Sequence, residues 1–162
     1  MISRETNVSE KTLVDYKNFL REKCLVFCQK QSMIGGQNQI VQIDETYFGL
    51  TQGNKGSENK RTICVFGGVD ENGRGFAEIV PEKSQKCIYP VITRKIHPES
   101  VIYHDAAKIY DALGTKLGFK HEKVNHSIGF KRTTETGENV NTNRVEGFWA
   151  IMKQPGTSQM VR

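Results

Sequence analysis

The sequence predicts an α/β domain built on a mixed five-stranded sheet, preceded by a short N-terminal helix. Two observations predict this fold class. From residue 39 onward, β-branched and aromatic segments separated by polar turns are typical of consecutive strands. Further along, helical apolar spacing alternates with short apolar runs, which is typical of helices and strands that follow one another. The chain has 162 residues, 36% of them hydrophobic, which is enough for one domain with a buried core.

The first half of the chain is expected to form one helix and an antiparallel meander. Ser9 is a good N-cap, and apolar residues follow at three- and four-residue steps, so a helix should run to about Lys30. Gly35-Gly36 marks a boundary. The three expected strands, with an Asn72-Gly73 turn before the last, are Ile40–Phe48, Arg61–Val69 and Gly75–Val80.

The second half should alternate helices with strands. The expected order is a helix at Ser84–Ile96, a strand at Ser100–His104, a helix at Ala106–Leu117, a strand at Lys123–Ile128, a polar loop at Lys131–Val140 and a last helix from near Asn141–Asn143 to Pro155. Three antiparallel strands followed by this alternation is the order of a ribonuclease-H-like domain. In such a sheet the first and fourth strands are neighbours, and the last helix packs against them.

Three acidic residues lie at positions where a carboxylate suggests a structural or functional role. Asp44 interrupts an apolar strand, on the face of Gln42 and opposite Val41; Asp105 ends a strand, and Glu146 lies on the last helix. In the predicted sheet the three would converge at one edge. Clustered oxygen ligands bind Mg²⁺ or Mn²⁺, and two such ions support phosphoryl transfer.

Each acid also has an ordinary structural interpretation. A turn, a helix cap for Ala106 onward or a lysine salt bridge would account for Asp44 or Asp105. Glu146 follows Asn143 by three residues, as in a capping box, and stands seven residues before Lys153, as on a solvated helix face. Taken singly, each acid favours the structural interpretation; the three together favour a metal site.

Five further blocks occur in a distinctive order. They are Ile34-Gly35-Gly36 with Val41–Gly49, then Val65–Val69, His104–Tyr110, Val124–Phe130 and Asn141–Trp149. The third has the spacing D-x-x-x-x-Y, from Asp105 to Tyr110. In these blocks, from about Ile34 to Gln154, the chain resembles the Merlin-type transposase domain, which is shared with the ISXO-like insertion-sequence transposases of bacteria.

The resemblance implies a DDE-type DNA transposase that cuts element ends and joins them to a target. It implies that Asp44, Asp105 and Glu146 hold two Mg²⁺ or Mn²⁺ ions, with Asn143 as a rival third ligand. The residues expected to contact DNA are Lys153, Arg144, Lys55, Lys60 and Arg61, and the expected supporting residues are Asn125 and His126. The expected partners are double-stranded DNA, as transposon ends and target, and further copies of the chain.

The ends of the chain suggest a rival to an active enzyme. Residues 1–33 are interpreted as a helical segment, similar to the tail of a helix-turn-helix, and residues 34–162 as the catalytic domain, shortened at its C-terminal end because Pro155-Gly156 stops the last helix. A decayed or domesticated remnant that binds DNA without catalysis is therefore the alternative. A cellular nuclease of the same fold is a weaker third interpretation.

Charge and cysteine content add smaller constraints. The net charge of +5 suits a polyanionic partner. The chain shows no secretory signal and no apolar run of membrane-spanning length, so we expect the cytoplasm of a bacterium or the nucleus of a eukaryote. The cysteines are expected to be free thiols buried as small hydrophobic residues. A zinc site, from Cys24, Cys28, His121 and His126, is the minor alternative.

Overall fold

A computed structural model of the protein describes residues 8–50, 61–124, 132–133 and 139–153. The chain divides into two compact units, Met1–Ser32 and Met33–Arg162. The first unit contains helix α1, Glu10–Lys30. Ser9 is its N-cap, as predicted, and the Ser9 hydroxyl oxygen accepts a hydrogen bond from the Thr12 N–H at 3.1 Å.

The second unit is built on the predicted mixed five-stranded sheet. Its strands are β1 (Ile40–Leu50), β2 (Arg61–Asp70), β3 (Gly75–Val80), β4 (Val101–Asp105) and β5 (Lys120–Val124). Their spatial order is β3-β2-β1-β4-β5. The first three strands pair antiparallel, β4 lies parallel to β1, and β5 lies parallel to β4. The α/β fold class and the ribonuclease-H-like order of strands are therefore confirmed.

Helices connect and cover these strands. They are α2 (Gln85–Lys95), a 3₁₀ turn (Lys108–Tyr110), α3 (Leu113–Leu117) and α4 (Asn143–Met152). Two short strands, β6 (Arg132–Thr133) and β7 (Asn139–Val140), form a small antiparallel ladder inside the segment expected to be a polar loop. Within the described parts of the chain, every helix is too short or too polar to cross a lipid bilayer.

The two faces of the sheet have different contents. One face carries the main core, in which Val41 and Ile43 of β1 pack with Phe66 of β2 and Ile88 and Ile92 of α2. On the opposite face, α4 packs against β1 and β2. The residues buried there are Phe48, Val65, Val145 and Trp149. The last helix was expected to pack on the first and fourth strands. Its main contacts are instead with β1 and β2, so it lies further from β4 than predicted.

Two predicted elements in the second half are wrong in extent. A continuous helix was expected at Ala106–Leu117, but Ala107 has extended backbone and only two short helical pieces form. Tertiary contacts compete with the helix here, because the Ile109 carbonyl accepts hydrogen bonds from Gln85 and from the Tyr89 hydroxyl. The predicted strand at Lys123–Ile128 instead begins at Lys120, and residues 125–128 lie outside the described residues.

The cysteine prediction is confirmed in part. Cys24, Cys64 and Cys87 are free thiols. Cys64 is buried in the core and Cys87 packs against it, as expected for small hydrophobic residues. Cys24 is exposed, so burial was wrong for that residue. The side chain of Cys28 and all of His126 lie outside the description.

Candidate active site

Asp44 lies in the middle of β1, on the face that α4 covers. Its neighbours on this face, Gln42 and Thr46, are buried. Its partner across the ladder is Gly67 of β2. Burial raises the pKa of Asp44 to about 6, and the negative charges of Glu45 and Asp105 add to the effect. The strand therefore holds a carboxylate whose ionised form needs a positive partner.

Asp105 is the last residue of β4, next to Asp44. The parallel ladder pairs Gln42 with Tyr103, and the same offset carried two residues further places Asp105 level with Asp44. One carboxylate oxygen of Asp105 accepts a hydrogen bond from the Ala107 N–H at 3.1 Å, and the other lies 3.9 Å from the Lys83 Nζ. Asp105 thus makes the turn hydrogen bond and the lysine contact that a purely structural role would require. It also lies close enough to Asp44 for the two carboxylates to repel each other.

A buried network that sequence reasoning missed adjoins these two acids. The Glu45 carboxylate is almost fully buried and lies 2.8 Å from the Lys83 Nζ. The hydroxyl of buried Tyr110 donates to the other oxygen of Glu45 at 2.5 Å. Burial alone would lower the pKa of Lys83, but the hydrogen bond to Glu45 and the nearby carboxylates raise it, so the ammonium form is favoured. The D-x-x-x-x-Y spacing from Asp105 was the sequence feature that could have identified Tyr110. No sequence pattern identifies Lys83.

Helix α4 is attached to β1 beside the acids by Gln42. The Gln42 amide oxygen accepts hydrogen bonds from the backbone N–H of Arg144, at 2.8 Å, and of Val145, at 3.3 Å. These N–H groups lie in the first turn of the helix and have no partner within it. The Gln42 amide nitrogen donates to Asn141 Oδ1 at 3.2 Å. A buried strand residue therefore fixes where the helix begins.

The orientation of α4 distinguishes Glu146 from Asn143. Arg144 reaches the carbonyls of Asp70 and Glu71, at the turn into β3, so its flank of the helix faces β3. With Val145 buried against the sheet and about 100° of rotation per residue, Glu146 and Lys153 lie on the opposite flank, on the side of β4. By the same geometry Asn143 points away from the sheet. The Thr142 hydroxyl donates to Glu146 Oε1 at 2.9 Å, which replaces the expected capping box with Asn143.

The acids only partly fulfil the requirements of a metal site. Asp44 and Asp105 supply two oxygen ligands of the kind that Mg²⁺ and Mn²⁺ prefer, and their mutual repulsion is what a cation would relieve. Among the described residues, no group of three His, Cys, Asp or Glu side chains is close enough to hold a metal ion. Glu146 therefore does not complete a closed set of ligands in this structure. The zinc alternative gains no support from the same residues.

The predicted DNA-contacting residues are described unevenly. Lys153 is exposed at the C-terminal end of α4. Arg144 is exposed, but its guanidinium already donates to the carbonyls of Asp70 and Glu71. Lys55, Lys60, Asn125 and His126 lie outside the described residues, and Arg61 is described only as the first residue of β2.

The mixed five-stranded sheet in the order β3-β2-β1-β4-β5, with helix α4 packed on one face, is an α/β fold consistent with a ribonuclease-H-like transposase domain. Residues 34–159 match the family model of the ISXO2-like transposase domain. The chain belongs to that family. It is also 32% identical, over 80 residues, to a protein of Haemophilus influenzae described as an uncharacterized transposase-like protein. The match covers 49% of this chain and 59% of that relative's length.

Proposed function

We propose that the protein is a DDE-type DNA transposase that catalyses metal-dependent strand cleavage and strand transfer at transposon ends. One observation carries the proposal: Asp44 and Asp105, on the neighbouring strands β1 and β4, lie close enough for the charge of Asp105 to raise the pKa of Asp44, in a chain of the ISXO2-like transposase family. The finer assignment to the Merlin branch rests on the resemblance of the five ordered blocks between Ile34 and Trp149. In the proposed division, residues 34–162 form the catalytic domain and residues 1–33 a separate helical segment.

In this proposal Asp44 and Asp105, whose carboxylate oxygens are of the kind that Mg²⁺ and Mn²⁺ prefer, would hold two such ions together with Glu146 as the third ligand. When bound, such ions activate an attacking oxygen and stabilise a leaving oxygen in phosphoryl transfer. Asp44 and Asp105 would supply negative charge from the sheet, and Glu146 from the flank of α4 on the side of β4. Glu146 is the better third ligand than Asn143, because Asn143 points away from the sheet. Lys153, on the same flank as Glu146, would contact a DNA phosphate.

The catalytic prediction is tested on duplexes made from the DNA that flanks the coding sequence. We expect Mn²⁺- or Mg²⁺-dependent cleavage that EDTA stops. Asp44→Asn, Asp105→Asn and Glu146→Gln should each lower the rate by roughly 100-fold or more, since each removes a metal ligand. Asn143→Ala should retain activity. Asp111→Asn is a matched control, because this exposed acid pairs with Lys123 away from the proposed ligands. Activity that survives Asp105→Asn, or cleavage without a divalent cation, would contradict the mechanism.

A remnant that binds DNA without catalysis is the second candidate. It is favoured by the incomplete ligand set, since Glu146 does not join Asp44 and Asp105 among the described residues. The two candidates differ in one result. A remnant should bind DNA equally well with and without Mn²⁺ and should cleave none of the flanking duplexes, whereas the enzyme should cleave at least one. Both candidates have duplex DNA as partner, and the enzyme also needs further copies of the chain to bring two ends together.

A further inference from the structure

Lys83, which was not predicted as a site residue, lies between Glu45 and Asp105. It stands in the connection from β3 to α2. Its Nζ is 2.8 Å from Glu45 Oε2 and 3.9 Å from Asp105 Oδ2, so its ion pair with Glu45 is the shorter of the two. Its side chain is 32% exposed and that of Asp105 is 35% exposed, so both groups are in contact with solvent.

Glu45 holds this lysine firmly. The Glu45 side chain is 1% exposed, and Tyr110, fully buried, donates its hydroxyl to the carboxylate oxygen that Lys83 does not contact. The carboxylate is thus fixed by partners from two different segments of the chain. A buried carboxylate with two fixed partners has little freedom to turn. The position of the ammonium group therefore follows from the position of Glu45.

A fixed ammonium so close to Asp105 has a direct consequence for cations. Lys83 and a divalent cation would be attracted by the same Asp105 oxygens, and they repel each other. With Lys83 in its 2.8 Å ion pair with Glu45, the ammonium lies about one ångström further from Asp105 than an ion pair of that length would place it. Without that bond, Lys83 would be free to pair fully with Asp105.

We propose that Lys83 is a positioning residue that competes with the divalent cation for Asp105, and that Glu45 restrains it so that Asp105 stays available. This inference rests on the proposed function, because it assumes that Asp105 is a metal ligand. It predicts effects of opposite sign at two residues that touch each other. Removing the ammonium should tighten cation binding, whereas removing its restraint should weaken it.

The test measures Mn²⁺ affinity of the full chain at pH 8, by calorimetry or by the electron paramagnetic resonance of free Mn²⁺, without DNA. Lys83→Met should bind Mn²⁺ roughly three- to tenfold more tightly, and Glu45→Gln more weakly by about the same factor. Lys83→Arg keeps the charge and should stay within about twofold of the parent. Lys95→Met is the matched control, because Lys95 is also a partly buried lysine near a glutamate, with its Nζ 3.8 Å from Glu78.

The outcomes separate this inference from the proposed function. If the parent binds no Mn²⁺, or if Asp105→Asn binds it as well as the parent, the metal site and the inference both fail. If Asp105→Asn loses binding but Lys83→Met matches Lys95→Met or binds more weakly, only the inference is overturned. Circular dichroism shows whether each variant folds. Should Lys83→Met not fold, Glu45→Gln decides, and unchanged Mn²⁺ affinity in that variant overturns the inference.

Discussion

Asp44 carries a stability cost in the absence of metal. Its folded-state pKa of about 6 lies above the ordinary value of 3.8, so the folded protein binds this proton more tightly than the unfolded chain does. Stability therefore falls as pH rises from about 4 to about 6, and the full cost persists above pH 6. Asp44→Asn removes that cost. Discounted for partial exposure, the gain should be about 1–2 kcal/mol at pH 8.

The gain is measured by denaturant unfolding of the parent and Asp44→Asn in EDTA at pH 8 and pH 4. It should be present at pH 8 and nearly absent at pH 4. His104 also contributes to the parent's pH profile, because burial lowers its pKa to about 4. The folded protein therefore loses stability as pH falls from 6.5 towards 4, where the unfolded chain binds this proton more tightly. The difference between variant and parent cancels that contribution. A loss of stability at pH 8 would show that Asp44 is structurally required instead.

At the scale of residues, the strand face of Asp44 could be predicted from the sequence, whereas the surroundings of the acids could not. Period-two alternation placed Asp44 on the face of Gln42 correctly, because strand geometry alone determines that face. Lys83 could not be predicted, since its role depends on how the connection after β3 folds back towards Glu45. Exposed lysines in connections are common, and no spacing distinguishes one that meets a buried carboxylate 38 positions away.

At the scale of elements, a glycine on β2 determines how closely α4 approaches the sheet. A Cβ on Gly67 would lie 2.6 Å from the Trp149 ring and 2.7 Å from the Phe76 carbonyl oxygen. The carbonyl belongs to backbone, so it cannot move aside cheaply. Gly67→Ala should therefore destabilise the fold by about 1–3 kcal/mol and displace α4. Because Gly67 pairs with Asp44, the displacement would also alter the site.

Trp149 is the only tryptophan in the chain, so its fluorescence reports this displacement directly. The emission of folded Gly67→Ala should shift to longer wavelength, as the ring becomes more accessible to water. Gly49→Ala is the matched control, because a Cβ there would meet no atom within 4 Å. It should keep the parent's emission and stability within about 0.5 kcal/mol. Equal effects at the two glycines would exclude close packing of α4 as the cause.

Elements were predicted well where pattern and tertiary contacts agree. Strand β3 and the N-cap of α1 match the prediction, since turn residues and capping residues act locally. The helix expected at Ala106–Leu117 fails because the Ile109 carbonyl is used by Gln85 and Tyr89 instead of by the helix. Strand β5 was placed late because its sequence, Lys-His-Glu-Lys, lacks the apolar residues typical of strands.

For the whole molecule, the order of elements predicted the sheet because few connections are possible. A meander followed by alternating helices and strands leaves β4 beside β1, and the observed order β3-β2-β1-β4-β5 agrees. Whether all three predicted metal ligands come together could not be predicted from the order of elements. Whether Glu146 reaches Asp105 depends on the exact position of α4 on the sheet. That position is set by Gln42 and Gly67, which contact residues of α4 about 80 to 100 positions further along the chain.

The net charge of the whole chain leads to the last prediction, which concerns DNA. With a charge of +5 and an exposed Lys153 on the same helix flank as Glu146, the protein should bind duplex DNA through phosphates, without regard to sequence. Binding through phosphates releases counterions, so affinity should fall linearly on a logarithmic salt scale, by about 0.9 units of slope for each phosphate neutralised. Lys153→Ala should therefore reduce the slope by about one.

Fluorescence anisotropy on two unrelated duplexes of equal length, at several salt concentrations, measures this slope. Both duplexes should give the same affinity within about threefold, since phosphate contacts carry no sequence information. Lys86→Ala makes the same change of charge at an exposed position on α2, whose side of the sheet is opposite α4. The slope of that control should equal the parent's, because a surface far from the DNA releases no counterions. Affinity that is independent of salt, or an equal change of slope in both variants, would contradict binding on the flank of α4 that carries Glu146.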